Sequence, residues 1–327
     1  MTADRQPVAL LARLWRIDAP LTFTGLLMTV VLLPMAAGVW LDPHTIVGAP
    51  AWLKPAKFAA STAIYSFTLV GIFSLLPEWP RVRRLVGRTT AAVFVIEVAI
   101  ISVQAARGTT SHFNVATPLD MALWTTMGTA IVLQTLSSVA VVVAAWRQQF
   151  TDRSLGWAIR LGLAITIVGA ASGGLMTRPT EQQIATAIEH RAMMVAGAHT
   201  VGAPDGTPGL PMTGWSRTHG DLRVGHFLGL HAVQLLPLFA WFVGRRPSLR
   251  QQRTRLVVVG AGSYAALFGL ITLQALRGQP ITSTDAWTIQ WLAIWLAGTS
   301  GALWLAMRPG PAAHAPTVEA SAAARRA

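Results

Sequence analysis

Two histidines in one apolar stretch are well suited to chemistry. His226 and His231 interrupt a run of apolar residues, where polar side chains are costly unless they have a partner or a function. Imidazole can carry a proton or ligate a metal or haem iron. Five residues apart on a helix, the two side chains are rotated by roughly 140° and cannot form an i, i+4 zinc clamp. We therefore predict separate roles as ligands or proton carriers, with structural hydrogen bonding as the alternative.

A carboxylate in another apolar stretch is the third candidate catalytic group. Glu97 lies seven residues before Gln104 on the same side of a predicted helix. Carboxylates within membrane spans commonly relay protons or pair with a buried cation. We predict such a role for Glu97, and a structural salt bridge to Lys57 is the alternative.

Cationic residues recur at a nearly constant spacing. Residues 53–58 (LKPAKF) match residues 222–227 (LRVGHF) at an offset of 169, and residues 103–108 (VQAARG) match residues 273–278 (LQALRG) at an offset of 170. Two matches at nearly one spacing predict an internal duplication. Equivalent helices of the two halves would then present polar stripes to a shared site.

The matched stripes predict a basic binding site at the outer membrane boundary. Cations on that side oppose the usual excess of Lys and Arg in cytoplasmic loops, which favours an anionic small molecule or lipid head group as the partner. Interfacial anchoring is the alternative for any one of them. The loop after the third span adds a histidine and an asparagine. The predicted ligand-binding residues are Lys54, Lys57, Arg107, Arg223, Arg277, Gln104, Gln234, Gln274, His112 and Asn114.

The long loop at about residues 177–223 contains a possible metal site. It opens with Thr180-Glu181-Gln182-Gln183, a capping-box pattern that predicts a short helix to about Val195. Long ordered loops with their own helix are typical of lids and binding elements. Nitrogen and oxygen ligands suit a divalent metal, although the spacing here matches no established signature. The candidate ligands are His190, His199, His219, Asp205 and Asp221.

The composition predicts an integral membrane protein. Hydrophobic residues make up 53% of the chain and charged residues 12%, against about 25% charged in soluble domains. The absence of cysteine excludes disulfides, thiolate metal sites and cysteine nucleophiles. We predict an all-α fold of about eight transmembrane helices in two pseudo-symmetric four-helix halves, near residues 20–40, 57–76, 90–104, 118–146, 156–175, 224–243, 256–276 and 287–307.

The distribution of arginine predicts the topology. Arginines cluster in the loops after even-numbered spans, so the positive-inside rule places both termini in the cytoplasm of a bacterial-type plasma (inner) membrane. The net charge of +13 follows from these loops and does not indicate a nucleic-acid partner. We predict halves at residues 1–153 and 154–308, the long loop at about 177–223 outside, and a disordered cytoplasmic tail at 309–327.

In outline, the predicted architecture resembles haem A synthase, an eight-span protein with two duplicated four-helix halves. That family carries paired haem-ligating histidines on its even-numbered spans. Here the second, fourth and eighth predicted spans contain no histidine, and only His226 or His231 could match such a ligand. The resemblance therefore concerns architecture and assigns no residue a role.

These features favour a membrane enzyme with a basic, histidine-containing site at the outer face. A haem-, quinone- or metal-dependent oxidoreductase or related enzyme ranks first, so haem and a divalent metal are the candidate cofactors. A transporter of a small anionic or lipid-like molecule ranks second. A zinc hydrolase acting on lipid head groups and an assembly subunit without chemistry remain open.

Overall fold

The computed structural model describes residues 5–206 and 209–308 and is mostly helical. The predicted disordered tail, residues 309–327, lies outside the described residues. Within them, seven helical stretches are long and apolar enough to cross a membrane, or eight if one bent pair forms a single span. The helices are α1 (Arg5–Ile17), α2 (Ala19–Leu41), α3 (Leu53–Phe73), α4 (Pro80–Ala106), α5 (Pro118–Arg147), α6 (Arg153–Ser172), α7 (Glu181–His190), α8 (Leu222–Leu230), α9 (Ala232–Gly244), α10 (Arg253–Leu276) and α11 (Ala286–Met307).

The connections between the long helices gather at the two ends of the bundle. One end of the bundle is the loop face. A short antiparallel ribbon precedes α3 there, and a second ribbon, which is part of the long segment after α6, precedes α8. The opposite end, the arginine face, contains the arginine-rich turns. The ribbons are formed by β1 (Thr45–Ile46) with β2 (Ala49–Pro50) and by β3 (Thr200–Val201) with β4 (Gly220–Asp221).

The long helices pack in two groups. Helices α2, α3, α4 and α5 contact one another, and α6, α8, α9, α10 and α11 form the second group. Between the groups, α5 packs on α6 and α3 approaches α9. Toward the arginine face this junction is filled by apolar side chains that are almost fully buried. Phe73, Val141, Ile159 and Val233 belong to this one cluster and seal that end of the bundle.

The span predicted at residues 224–243 is two helices, α8 and α9, bent by 50° at His231. A side chain of α6 enters the break: the Thr166 hydroxyl donates to the carbonyl of Leu230 (3.2 Å) and accepts from the amide of Val233 (3.1 Å). The Tyr264 hydroxyl donates to the carbonyl of Leu228 at 2.5 Å. Inserted side chains are a recognised cause of kinks, and here they satisfy the backbone groups that the break frees.

Glycines allow α6 to approach α8 at backbone distance. A Cβ added to Gly169 would lie 2.5 Å from the carbonyl carbon of Gly229, and one added to Gly229 would lie 2.5 Å from the Cα of Gly169. Close packing of this kind holds helices together in lipid, where burial from water no longer drives association. This contact fixes α8, and therefore His226, against α6.

Three elements differ from the sequence-based expectation. α4 begins at Pro80, ten residues before the predicted start at residue 90. Its first turns carry arginines, which a hydropathy pattern assigns to a loop, so the predicted span began too late. α7 begins with the predicted capping box on Thr180 but ends at His190, since Arg191 turns into the left-handed region (φ 49°). α1 was not predicted; it packs Leu14 against the core.

Candidate functional site

A cavity of about 1770 Å³ lies between the two groups of helices on the loop-face side of the apolar seal. Its walls come from α3, α4, α5, α6, α8 and α9, and α7 and the long segment after α6 form its roof. Tyr65 and Gln134 line its deep end, 12 and 16 residues from the loop-face ends of α3 and α5. At 1.5 Å per residue the cavity therefore reaches roughly 18–24 Å into the bundle, past the middle of a core about 30 Å thick.

The roof is held by backbone hydrogen bonds rather than by loose contact. The amide of Ala196 donates to the carbonyl of Phe113 (2.8 Å), and the amide of Ala198 donates to that of Met176 (2.9 Å). Gln183 of α7 binds both backbone groups of Gly197. Gly197 has φ 125°, and a Cβ there would lie 2.5 Å from the Met176 oxygen, so only glycine fits this turn. The roof is thus an ordered element.

The cavity gathers most of the predicted site residues and leaves the others elsewhere. Those that line it are His226, His231, Glu97, Lys54, Lys57, Arg223, Gln234, His112, His190, His199 and Asp205. Those outside its lining are Arg107, Arg277, Gln104, Gln274, Asn114, His219 and Asp221.

His199 and Asp205 form a dyad in the roof. The imidazole Nδ1 lies 2.6 Å from the Asp205 carboxylate, which also accepts the backbone amides of His199 and Thr200. Burial raises the pKa of Asp205, and the hydrogen bonds from His199 outweigh this and lower it overall. The carboxylate accepts a hydrogen bond from Nδ1–H, so neutral His199 carries its proton on Nδ1 and its lone pair on Nε2.

His226 has the same tautomer for a different reason. Its Nδ1 lies 2.8 Å from the carbonyl oxygen of Gly169, and only a protonated nitrogen can donate to that oxygen. Nε2 of neutral His226 is therefore the basic nitrogen. The ring lies over Gly173, where a Cβ would come within 3.1 Å of Cε1. Helix packing thus sets both the position and the tautomer of this side chain.

His112 belongs to an aromatic cluster on the wall. Its ring centroid lies 5.7 Å from that of Phe58 and 5.4 Å from that of Trp124, and its Nδ1 is 3.1 Å from the hydroxyl of Ser111. Burial lowers the pKa of His112 well below its usual value, and the nearby charge of Lys54 adds to the effect. His112 is therefore neutral at pH 7.

The lysines and Glu97 lack ionic partners among the described residues. Lys57 donates to the carbonyl of Thr213 (3.0 Å), and Lys54 makes no ion pair or hydrogen bond there. Glu97 is 3% exposed, and its Oε1 has no hydrogen-bond partner within the same part of the chain. The alternative interpretation of Glu97, a salt bridge to Lys57, is therefore wrong.

Arg223 is neutralised by its neighbour. Its guanidinium makes two hydrogen bonds to the carboxylate of Asp221, at 2.9 and 2.6 Å, and donates to the carbonyl of Gly214 at 2.6 Å. This fork holds the roof segment against the start of α8. Arg223 lines the cavity, but less of its positive charge is available to a ligand than that of the lysines.

Arg107 and Arg277 lie in matching networks away from the cavity. Arg107 donates to Asp120 (2.7 Å) and to Gln104, while Arg277 donates to Asp285 (2.6 Å) and stacks on Trp287. The two glutamines also match, because their amides donate to the carbonyls of Thr110 (3.3 Å) and Pro280 (2.9 Å), six residues further on in each case. These networks tie the outgoing helix of each group to the next helix.

Asn114 closes the loop that precedes α5. Its side-chain amide donates to the Thr109 hydroxyl (3.0 Å) and the Thr110 carbonyl (3.1 Å), and its oxygen accepts the amide of Ala116 (3.1 Å). All of its polar groups are thus used within the loop. Asn114 therefore stabilises the loop by hydrogen bonds and is not part of the cavity wall.

The five suggested metal ligands do not come together. Within residues 5–206 and 209–308, no three His, Asp or Glu side chains are close enough to share a metal ion. The carboxylate of Asp205 is hydrogen-bonded to His199, and that of Asp221 is hydrogen-bonded to Arg223. Nδ1 of His219 lies 2.9 Å from the Thr218 hydroxyl. The expectation of a shared site is therefore corrected: the carboxylates are used to shape the roof.

Several cavity residues were missed by the sequence analysis. Gln134 and Ser138 line the deep end, and the amide of Gln134 donates to the Ser138 hydroxyl at 3.0 Å. Their i, i+4 spacing within an otherwise apolar span is a signal that could have found them. Trp124 and Phe113 gave no such signal, because aromatic residues in a membrane protein are ordinary core residues.

Comparisons with known proteins found no matching family model, no curated protein and no solved structure similar to this chain. The functional conclusion therefore depends on the geometry of the cavity.

Acid should destabilise the protein through its buried histidines. Burial lowers the pKa of His112 and of His199 below 6.5, so between the folded and unfolded values the unfolded chain binds more protons. Stability is then fully present above about pH 6.5 and falls as the pH drops below it. We expect the unfolding midpoint, followed by tryptophan fluorescence, to be flat from pH 7 to 8 and to fall toward pH 5. His112→Phe should flatten this fall, and an equally steep fall would contradict the assignment.

Proposed function

We propose that this protein is a membrane enzyme that takes an amphipathic, anionic, lipid-like molecule into the cavity and transfers protons with its histidines. One observation carries the proposal: His199 and His226, each with Nδ1 engaged as a donor, line the same cavity as Lys54 and Lys57. Basic imidazole nitrogens are thus offered to one ligand together with ammonium groups that have no carboxylate partner among the described residues. Neither anchoring nor helix packing requires that combination.

The proposal places the loop face outside the cell. The arginine-rich turns lie at the other end of the bundle, and the positive-inside rule assigns that end to the cytoplasm. Both termini are then cytoplasmic in a bacterial-type plasma membrane. The cavity would open toward the outer leaflet.

The proposal also includes a duplicated origin for the two groups of helices. Supporting it, the side-chain amides of Gln104 and Gln274 each donate to the carbonyl six residues further on, at Thr110 and Pro280. After the equivalent outgoing helices, Gly108 has φ 70° and Gly278 has φ 75°. Matching turns at matching positions favour two repeats with the ligand site between them.

The walls of the cavity suit an amphipathic shape. The lysines stand in the first turns of α3, while α5 contributes apolar side chains that remain exposed, among them Ile131 (38%) and Leu136 (63%). An apolar chain can lie along this wall while an acidic head group meets the ammonium groups.

The proposed chemistry is general base catalysis by the roof dyad. Asp205 fixes the His199 tautomer, so that Nε2 can accept a proton from water or from a substrate hydroxyl whose oxygen attacks the phosphorus of the head group. As the new P–O bond forms, the P–O bond to the leaving alkoxide breaks, and the His199 imidazolium returns its proton to that alkoxide. The neutral state of His199 at pH 7 follows from burial, which lowers its pKa. Proton transfer by a positioned histidine contributes about 10²–10⁴ in rate.

Removing both lysine charges should weaken ligand binding most directly. We expect Lys54→Gln with Lys57→Gln to reduce the affinity for an anionic amphiphile, such as a spin-labelled phosphatidylglycerol, by at least about ten-fold, because two charge-assisted contacts are lost. The matched control is Arg83→Gln with Arg84→Gln on the arginine face, which should leave affinity unchanged. Equal loss in both double variants would mean that the cavity is not the binding site.

A redox function, with haem or quinone, is the second candidate. It is favoured by His226, since a carbonyl hydrogen bond on Nδ1 is the usual support for a histidine that ligates iron through Nε2. Oxidised and dithionite-reduced optical spectra test it: a Soret band that shifts on reduction and is lost in His226→Ala would establish haem.

Transport is the third candidate, favoured by the bent pair α8–α9 and the unpaired Glu97 beside the same cavity. Broken helices commonly form transporter sites, but here Thr166 and Tyr264 already occupy the backbone groups at the break. The apolar seal at Phe73 and Val141 would also have to open. Flux of a labelled anionic amphiphile into proteoliposomes would support transport over catalysis.

A further inference from the structure

The membrane-embedded part of the cavity contains one buried acid without a partner. Glu97 lines the cavity, is 3% exposed, and has an unpaired Oε1 among the described residues. A buried polar group without a partner is rare in natural proteins, and a carboxyl group within a membrane span is commonly part of a functional site.

Lys54 lines the same cavity and also has no ionic partner among the described residues. No ion pair of 4.0 Å or less joins it to Glu97. Measured along the helices, Lys54 is one residue and Glu97 nine residues from the loop-face ends of α3 and α4, a difference in depth of eight residues or roughly 12 Å. The cavity therefore offers a ligand an ammonium group and a carboxyl group at different depths.

The order of charges defines what the ligand must be. From the loop face inward, the cavity presents two ammonium groups, on Lys54 and Lys57, and then the Glu97 carboxyl. Two further carboxylates line the roof. Asp205 is already saturated by His199 and two backbone amides, and Glu181 is exposed at the start of α7. A complementary ligand has an acidic group nearer the loop face and a hydrogen-bond donor, best a cation, deeper inside.

We propose that the ligand is an aminophospholipid-type molecule: its phosphate binds Lys54 and Lys57, and its primary ammonium binds Glu97. This inference rests on the proposed function and specifies the ligand further: the acidic phosphate is joined to a primary ammonium. The glycerol leaves the phosphate on the opposite side from the amine. The acyl chains must therefore turn back to lie along the exposed apolar residues of α5, of which Ile131 and Leu136 are 13 and 18 residues from its loop-face end.

The experiment compares two lipids with identical acyl chains. Protein in detergent is incubated with phosphatidylethanolamine or phosphatidylglycerol, and the retained lipid is counted by native mass spectrometry. We expect the wild type to prefer the ethanolamine lipid by at least ten-fold. Glu97→Gln should abolish that preference, Glu97→Asp should keep part of it, and Lys54→Gln should weaken both lipids. Glu189→Gln, a change at an exposed residue of α7 outside the cavity lining, is the matched control and should keep the preference.

Different outcomes would overturn the aminophospholipid assignment and the proposed function on which it rests. Equal retention of the two lipids, stronger retention of phosphatidylglycerol, or a preference that survives Glu97→Gln would overturn the aminophospholipid assignment alone. Retention of neither lipid by the wild type would overturn the lipid-like substrate as well. Unfolding midpoints equal to that of the wild type show that each variant is folded when it is compared.

Discussion

His199→Gln is expected to lower turnover of the bound lipid by about 10²–10⁴ while changing KM little. Glutamine can still hydrogen-bond to Asp205, so the roof should stay in place, but its amide cannot accept a proton at neutral pH. The measurement is product formation by mass spectrometry on the lipid that the purified protein retains, at saturating substrate and at pH 7.5.

The control for this substitution is His219→Gln. His219 lies in the same long segment but contacts Thr218 and is outside the cavity lining, so turnover should be unchanged. Asp205→Asn should also lower turnover strongly, because the asparagine amide can donate to Nδ1 and so favour the tautomer whose Nε2 carries the proton and cannot act as a base. If His199→Gln retains at least half of the wild-type turnover, His199 is not the general base.

Gly169→Ala is expected to destabilise the protein strongly. The new Cβ would lie 2.5–2.7 Å from the backbone of Gly229 and Leu230, which a rotamer change cannot relieve. Overpacking of this kind costs about 1–3 kcal/mol, or more where backbone must move. We expect the unfolding midpoint to fall by roughly 5 °C or more, together with weaker lipid retention as His226 shifts.

Gly262→Ala on α10 provides the matched comparison, since a Cβ there meets nothing within 4 Å. Alanine also has the higher helix propensity, so this variant should be as stable as the wild type or more stable. Equal midpoints for the two variants would show that α6 and α8 are not in backbone contact.

Much of the fold was predictable because hydropathy and helix signals act locally. The apolar runs gave the long helices, and the capping box at Thr180 gave the start of α7. The 169- and 170-residue offsets singled out α3, α8, α4 and α10, and the cavity lies beside Lys54 and His226 as those offsets suggested. Helix periodicity was thus sufficient to place residues on faces.

Pairing between distant residues could not be predicted in the same way. Arg107 and Arg223 look alike in the repeat, but Asp120 takes the first away from the cavity while Asp221 holds the second at its edge. At the break near His231, Thr166 bonds the backbone from 65 residues earlier in the chain, and Pro237 in α9 is the only local signal of a bend. Such contacts depend on which helices pack against each other, and that packing cannot be read from the local pattern of a single sequence.

The central claim is that the cavity holds an amphipathic molecule through its lysines. Mass spectrometry of the organic extract from detergent-purified protein tests it most directly, with an optical spectrum and metal analysis of the same sample. We predict one phosphate-containing lipid per protein, absent from the folded Lys54→Gln, Lys57→Gln variant, in a colourless preparation. A stoichiometric haem, or a folded double variant that retains the same lipid as the wild type, would contradict the claim.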